Sequence, residues 1–219
     1  MKQIIKQYQL IVLLSLFSIY CIALVAFRAW LTNSIFYLFL VWNLILAYIP
    51  FILSKLMLTK KYKNTALVLL FMTWLLFLPN AAYIITDFVH IKKGTLIPLW
   101  YDIILVFSFA FNGILLFFLS VQDVHQLLSK QFSSFKTWTI TVFILFLTGF
   151  GVYLGRFLRF NSWEMASNPK ILLIEIFDRI IQPTAHPRTW GFTIGFGTLL
   201  LLGFLIFTTI SIEKAAKTT

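Results

Sequence analysis

Apolar residues run along this chain in six long stretches, broken by short polar segments. They predict helices at about Tyr8–Phe27, Ile35–Leu53, Thr65–Phe88, Trp100–Val121, Phe135–Gly155 and Trp190–Ile212. About twenty residues at 1.5 Å each cover the hydrocarbon of a bilayer, so each stretch reads as a membrane span. The first follows Lys2 and Lys6, is too long for a signal peptide's apolar region and lacks a small-residue cleavage site; it is expected to stay as a span. Between the fifth and sixth stretches lies "NPKILLIEIFDRIIQP". Asn168 suits an N-cap, Pro169 a first helical turn and Pro183 a stop. The resulting helix is too short to cross and carries Glu175, Asp178, Arg179 and Gln182 on one face, so it is expected to lie along the membrane surface. The predicted fold class is an all-α integral membrane protein, a single polytopic domain over 1–219. It has six transmembrane helices plus this short interfacial amphipathic helix.

Composition agrees with that reading. Hydrophobic residues make up 60% and charged residues 11%, with a mean hydropathy of +0.92, against roughly 45–50% and about 25% in soluble domains. A chain with so few polar side chains cannot cover a water-facing surface. The net charge of +11 would suit nucleic acid, but the aromatics sit inside apolar runs rather than in a basic soluble patch, so no nucleic acid is expected. Positive charge instead orients the spans. The run "KLMLTKKYK" votes for a cytoplasmic second loop, which places both termini in the cytoplasm of a cell membrane. The third–fourth and fifth–sixth loops then face outward, and function is sought there. The single cysteine, Cys21, excludes an intramolecular disulfide.

The candidate chemistry lies near those outer loops. In "LPNAAYIITDFVH", Asn80, Tyr83, Asp87 and His90 recur at spacings of three, four and three, which puts them on one side of a helix. Thr73 extends the stripe inward, and Pro79 is expected to kink the helix. Such a stripe faces other helices or a wet cavity. In "PLWYDIILVFSFAFNG", Asp102 falls in a first helical turn, where a carboxylate complements the helix dipole. Asn112 lies deeper beside Gly113, on one face with Ser108, and needs a partner; the Thr73–Asn80 stripe is the candidate. Finally, "YLGRFLRFNSWE" carries Arg156 and Arg159, with Asn161 and Ser162 behind them. If the helix continues, the two arginines form a two-pronged cationic surface. They are expected to meet Asp87, Asp102 or both, with spare valence for a phosphate or carboxylate. Gly151 with Gly155, and Gly191 with Gly195, are spaced for close packing of the fifth and sixth spans.

These residues predict an outward-facing polar site. Asp87 and His90 are its candidate catalytic acid and base. Asn80, Tyr83, Asp102, Asn112, Arg156, Arg159, Asn161 and Ser162 are its binding residues. The expected partners are membrane lipids, an anionic lipid or cell-envelope intermediate, and a second copy of the chain. No metal or cofactor is expected, since neither H-x-x-x-H nor H-E-x-x-H occurs. Two alternatives stay open beside binding or processing: a homo-oligomeric transporter or ion pathway lined by Asn80, Ser108 and Asn112, and a non-catalytic partner subunit. Whether the protein is an enzyme is likewise left open by the residues.

The motifs "LPNAAYIITDFVH", "LWYDIILVFSFAFNG" and "GFGVYLGRFLRFNSWE", in that order, resemble the bacterial integral-membrane family known as domain of unknown function 1361. The resemblance implies a bacterial multi-pass membrane protein and carries no activity with it.

Overall fold

The computed structural model describes residues 2–59, 62–91, 97–160 and 169–216. Its helices are α1 (Lys2–Thr32), α2 (Phe39–Thr59), α3 (Asn64–Tyr83), α4 (Leu99–Ser129), α5 (Ser134–Phe157), α6 (Pro169–Ile181) and α7 (Pro187–Ala216). Short 3₁₀ segments precede α2 (Phe36–Leu38), extend α3 (Ile84–His90) and precede α7 (Pro183–Ala185). Among the described residues there is no strand. Six helical stretches are long and apolar enough to cross a membrane: Tyr8–Thr32, Phe36–Leu58, Asn64–His90, Leu99–Ser129, Ser134–Phe157 and Pro187–Ser211. Each contains most of one predicted span. Their surfaces expose large apolar side chains such as Leu13, Leu69, Phe143 and Ile206, as suits helices solvated by lipid. The protein is a multi-pass membrane protein.

Its internal contacts fall into two compact units. One comprises Met1–Tyr48 and Asn80–Phe117, the other Ile49–Pro79 and Phe118–Thr219. In the first unit, Gly113 on α4 lets the chain of α3 approach. A Cβ there would stand 2.8 Å from the Ala81 carbonyl oxygen and 2.9 Å from Ile84 Cδ1.

In the second unit α5 packs along α7. The glycines at that crossing are not the predicted ones. A Cβ at Gly149 would come within 3.0 Å of the Thr193 carbonyl oxygen, and one at Gly197 within 2.7 Å of the Phe146 ring. Gly191 and Gly195 meet nothing within 4 Å. Equal spacing in sequence does not decide which side of a helix faces its neighbour. Gly151 serves a contact with α3 instead. A Cβ there would lie 2.6 Å from Pro79 Cγ, so the missing side chain makes the notch in which the Pro79 ring sits. This unit also holds Trp74, whose indole donates to Ser120 Oγ (2.7 Å), while Ser120 donates to the Pro50 carbonyl (2.9 Å). Asp123 accepts from Lys55 Nζ (2.8 Å) and Ser54 Oγ (2.9 Å), and His125 meets Thr141 (2.8 Å).

Helix α6 forms where predicted and over the expected length. On its polar side Arg179 is buried and donates to the Glu175 carboxylate, while Glu175 and Asp178 keep partly exposed side chains. Leu172 and Ile176 pack beside Arg179 against Phe150, Leu154, Leu158 and Phe160. The apolar side is the exposed one.

Candidate functional site

Asp102, in the first turn of α4, is held by Arg28 from the last turns of α1. Arg28 Nε donates to Oδ1 at 2.7 Å and Nη2 to Oδ2 at 3.1 Å, with side chains only 6% and 0% exposed. The guanidinium lies over the Tyr37 ring, 4.2 Å from its centroid, a cation–π contact that helps a desolvated arginine. Tyr37 in turn donates its hydroxyl to the His90 carbonyl (3.1 Å). The guanidinium that takes Asp102 is therefore Arg28, where the sequence pointed to the fifth-span arginines. Both carboxylate oxygens are engaged and closed off from solvent.

Asp87 is fully buried and accepts from Asn43 Nδ2 at 3.0 Å. His90 Nε2 stands 4.0 Å from its other oxygen, an ion-pair distance rather than a hydrogen bond. The segment carrying both residues is a 3₁₀ helix and not the predicted α-helix. At three residues per turn, positions i and i+3 eclipse, so Asp87 and His90 stack directly. The imidazole is 36% exposed and lies edge-on to Phe39 and Phe36. Asn80 and Tyr83 are half-buried and engaged with other groups. Thr73, expected to extend this stripe, is instead exposed and bonds back to the Leu69 carbonyl.

Asn112 finds its partner on α1 rather than on the third-span stripe. Its amide donates to Ser18 Oγ at 2.9 Å, and Ser18 lies 2.7 Å from the Tyr48 hydroxyl. Asn112 Oδ1 is buried and accepts no N–H or O–H hydrogen bond. Ser108 spends its hydroxyl on the Ile104 carbonyl (2.7 Å). Arg28, Asn43, Ser18 and Tyr48 are the partners that sequence reasoning passed over. A lone polar residue inside an apolar run was the available signal.

In the second unit, α5 does not continue through both arginines. It ends at Phe157; Arg159 adopts a left-handed φ of 63°, and the Phe160 N–H returns to the Leu154 carbonyl at 3.1 Å. A non-glycine residue there costs about 1–2 kcal/mol. Arg156 is half-buried and engaged, and Arg159 is exposed. Asn161 and Ser162 lie outside the described residues.

Tyr153, one turn before Arg156, lines a cleft of about 310 Å³ with Ala185, His186, Pro187, Arg188 and Thr189. The positive end of the α7 dipole opens onto it. His186 Nε2 is 2.7 Å from Asp178 Oδ2 on α6, which holds the imidazole in place. Tyr153 is fixed by ring contacts with Phe157 and Phe192. Trp190 stacks on Phe150 and donates to the Arg179 carbonyl (3.1 Å). Among the described residues no cluster of histidine, cysteine and carboxylate side chains could hold a metal ion.

The family described as protein of unknown function (DUF1361) matches residues 42–202. The chain belongs to the DUF1361 family. No curated protein and no solved structure matches it. The DUF1361 match takes in Asn43, Asp87, His90, Asp102, Asn112, the α5 arginines and the whole cleft, whereas Ser18 and Arg28 precede it. In this DUF1361 chain the carboxylate Asp102 thus lies inside the matched segment and its guanidinium partner outside it.

Proposed function

We propose that this protein binds an anionic, phosphate-bearing headgroup, that of a lipid or of a cell-envelope intermediate, in the cleft lined by Tyr153, His186, Arg188 and Thr189. The cleft carries the proposal. Its volume of about 310 Å³ lies at the lower end of small-molecule sites and suits a headgroup better than a whole lipid. Arg188 offers the forked donor geometry that matches phosphate oxygens, and Tyr153 and His186 add further polar atoms. Arg156, one turn beyond Tyr153, and Arg159, past the end of α5, add positive charge, and the strained backbone of Arg159 supports a functional reading of that residue. Asp178 offsets part of the charge where it meets His186.

The test is retention of lipid by the purified protein, measured by native mass spectrometry in phosphatidylglycerol and in phosphatidylcholine. A charge-assisted hydrogen bond is worth about 1.5–3 kcal/mol, so Arg188→Gln is expected to lower phosphatidylglycerol affinity about tenfold or more. Displacement by inorganic phosphate would identify a free anion as the ligand. Equal retention of both lipids, or no change in Arg188→Gln, would remove the proposal.

A second reading concerns the first unit alone. There a fully buried carboxylate, Asp87, stands behind a partly exposed imidazole, His90, an order in which a carboxylate can orient a general acid or base. The readout is the lipid profile of cells overproducing the chain. A change that Asp87→Asn abolishes at equal folded yield supports catalysis; identical profiles for both proteins count against it. Transport has less support, because Ser108 and the Asn112 amide are spent on contacts within the helix and with α1.

A further inference from the structure

Helix α6 exposes the wrong side for a helix in water. Arg179, Leu172 and Ile176 fall within an arc of about 60° that faces the protein, and Glu175 and Asp178 stand at its edge with side chains 39% and 45% exposed. Arg179 is buried on Glu175, Asp178 meets His186, and Leu172 and Ile176 pack on the end of α5. The opposite arc carries Leu173, Ile174, Phe177, Ile180 and Ile181, all exposed, with Ile174 at 67% and Ile181 at 72%. Thirteen residues reach about 20 Å, well short of the roughly 30 Å hydrocarbon layer, so the helix cannot cross it.

We infer that α6 is a monotopic helix immersed in one leaflet, its Ile174–Phe177–Ile181 side among acyl chains and its Arg179 side set against the protein. Three observations favour acyl chains over a second copy of the chain as the occupant. The neighbouring spans expose apolar side chains as well, Phe157 on α5 and Ile194 on α7 among them. The two helices that flank α6 in sequence are long and apolar enough to cross a membrane. Lys170 at its start and Arg188 just beyond its end are exposed, and basic groups so placed reach phosphate headgroups while the apolar arc lies deeper. The inference stands independently of any ligand in the cleft. It differs from an ordinary surface helix in rotation: Arg179 is buried, and Glu175 and Asp178, with side chains 39% and 45% exposed, are each paired with a basic neighbour.

The experiment uses the full chain in phosphatidylglycerol–phosphatidylcholine vesicles, with single nitroxide labels introduced at Ile174→Cys, Phe177→Cys and Ile181→Cys. Cys21 is fully buried and is left in place; Cys21→Ala serves as a second background if it takes label. Collisions with molecular oxygen are compared with collisions with a water-soluble nickel chelate, and Ile194→Cys on α7 is the lipid-facing reference. Oxygen collisions are expected to exceed nickel collisions several-fold at all three positions, as at Ile194→Cys. Nickel collisions equal to or above oxygen would place the arc in water, and low collisions with both would place it under protein. Either result overturns the inference. All three side chains are exposed, so the loss of one variant to misfolding leaves two that decide.

Discussion

Asp102→Ala strips its carboxylate from Arg28 and most of the folded protein is lost with it. Arg28 is as buried as its partner, and removing one member of a buried ion pair costs about 3–5 kcal/mol because the other charge stays desolvated. Total stabilities are commonly only about 5–15 kcal/mol. The contact with Tyr37 lessens the penalty without replacing the carboxylate. Replacing both members with apolar residues, Arg28→Met with Asp102→Leu, is often neutral or stabilising by about 1–4 kcal/mol, so the double variant should recover. The readout is the monodisperse fraction on size exclusion, together with the melting temperature in detergent. A single variant that melts like the wild type, or a double variant no better than the single, would show that the pair does not hold the first unit together.

Trp74→Ala is the second large effect, at about 3 kcal/mol or more. Trp74 is fully buried, and truncating a buried tryptophan in a soluble protein costs about 3–5 kcal/mol. The lower end applies here because lipid, unlike water, solvates an apolar side chain well; what is lost is packing and one hydrogen bond. Trp74→Phe separates the two contributions. It keeps most of the ring and removes the donor to Ser120, so it should cost about 1 kcal/mol for the bond plus a small packing loss. Unfolding in mixed micelles of increasing dodecyl sulfate measures both. A Phe variant as unstable as the Ala variant would mean that the hydrogen bond to Ser120 and on to Pro50, rather than the bulk of the indole, carries the effect.

The spans were legible because their signal is one-dimensional: length and apolar content suffice. The extent of α6 was legible for a similar reason, since Pro169 and Pro183 bound it on the chain itself. Its rotation was not, because an amphipathic pattern does not state which side the solvent is on. The Asp102 site shows how a small boundary error hides chemistry. The first span was expected to stop at Phe27, so Arg28 counted as a loop charge; α1 in fact runs to Thr32, and that added turn carries Arg28 into the protein. Asp87 and His90 were rightly placed near each other, but through the wrong helix geometry, as nothing local marks the change to 3₁₀ after Tyr83. The choice of Gly149 and Gly197 over Gly191 and Gly195 depends on how two helices turn about their axes, which no spacing along one chain records.

The distance in sequence between Arg28 and Asp102 bears on how the protein is made. The two are 74 residues apart, and at ribosomal speeds of about 5–20 residues per second the arginine exists for roughly 4–15 s before its counter-ion is synthesised. During that interval the nascent first helix must keep its guanidinium at the bilayer surface by stretching toward water. Only when the fourth helix emerges from the translocon can it draw the charge inward, so final seating of the first crossing is a late event of biogenesis.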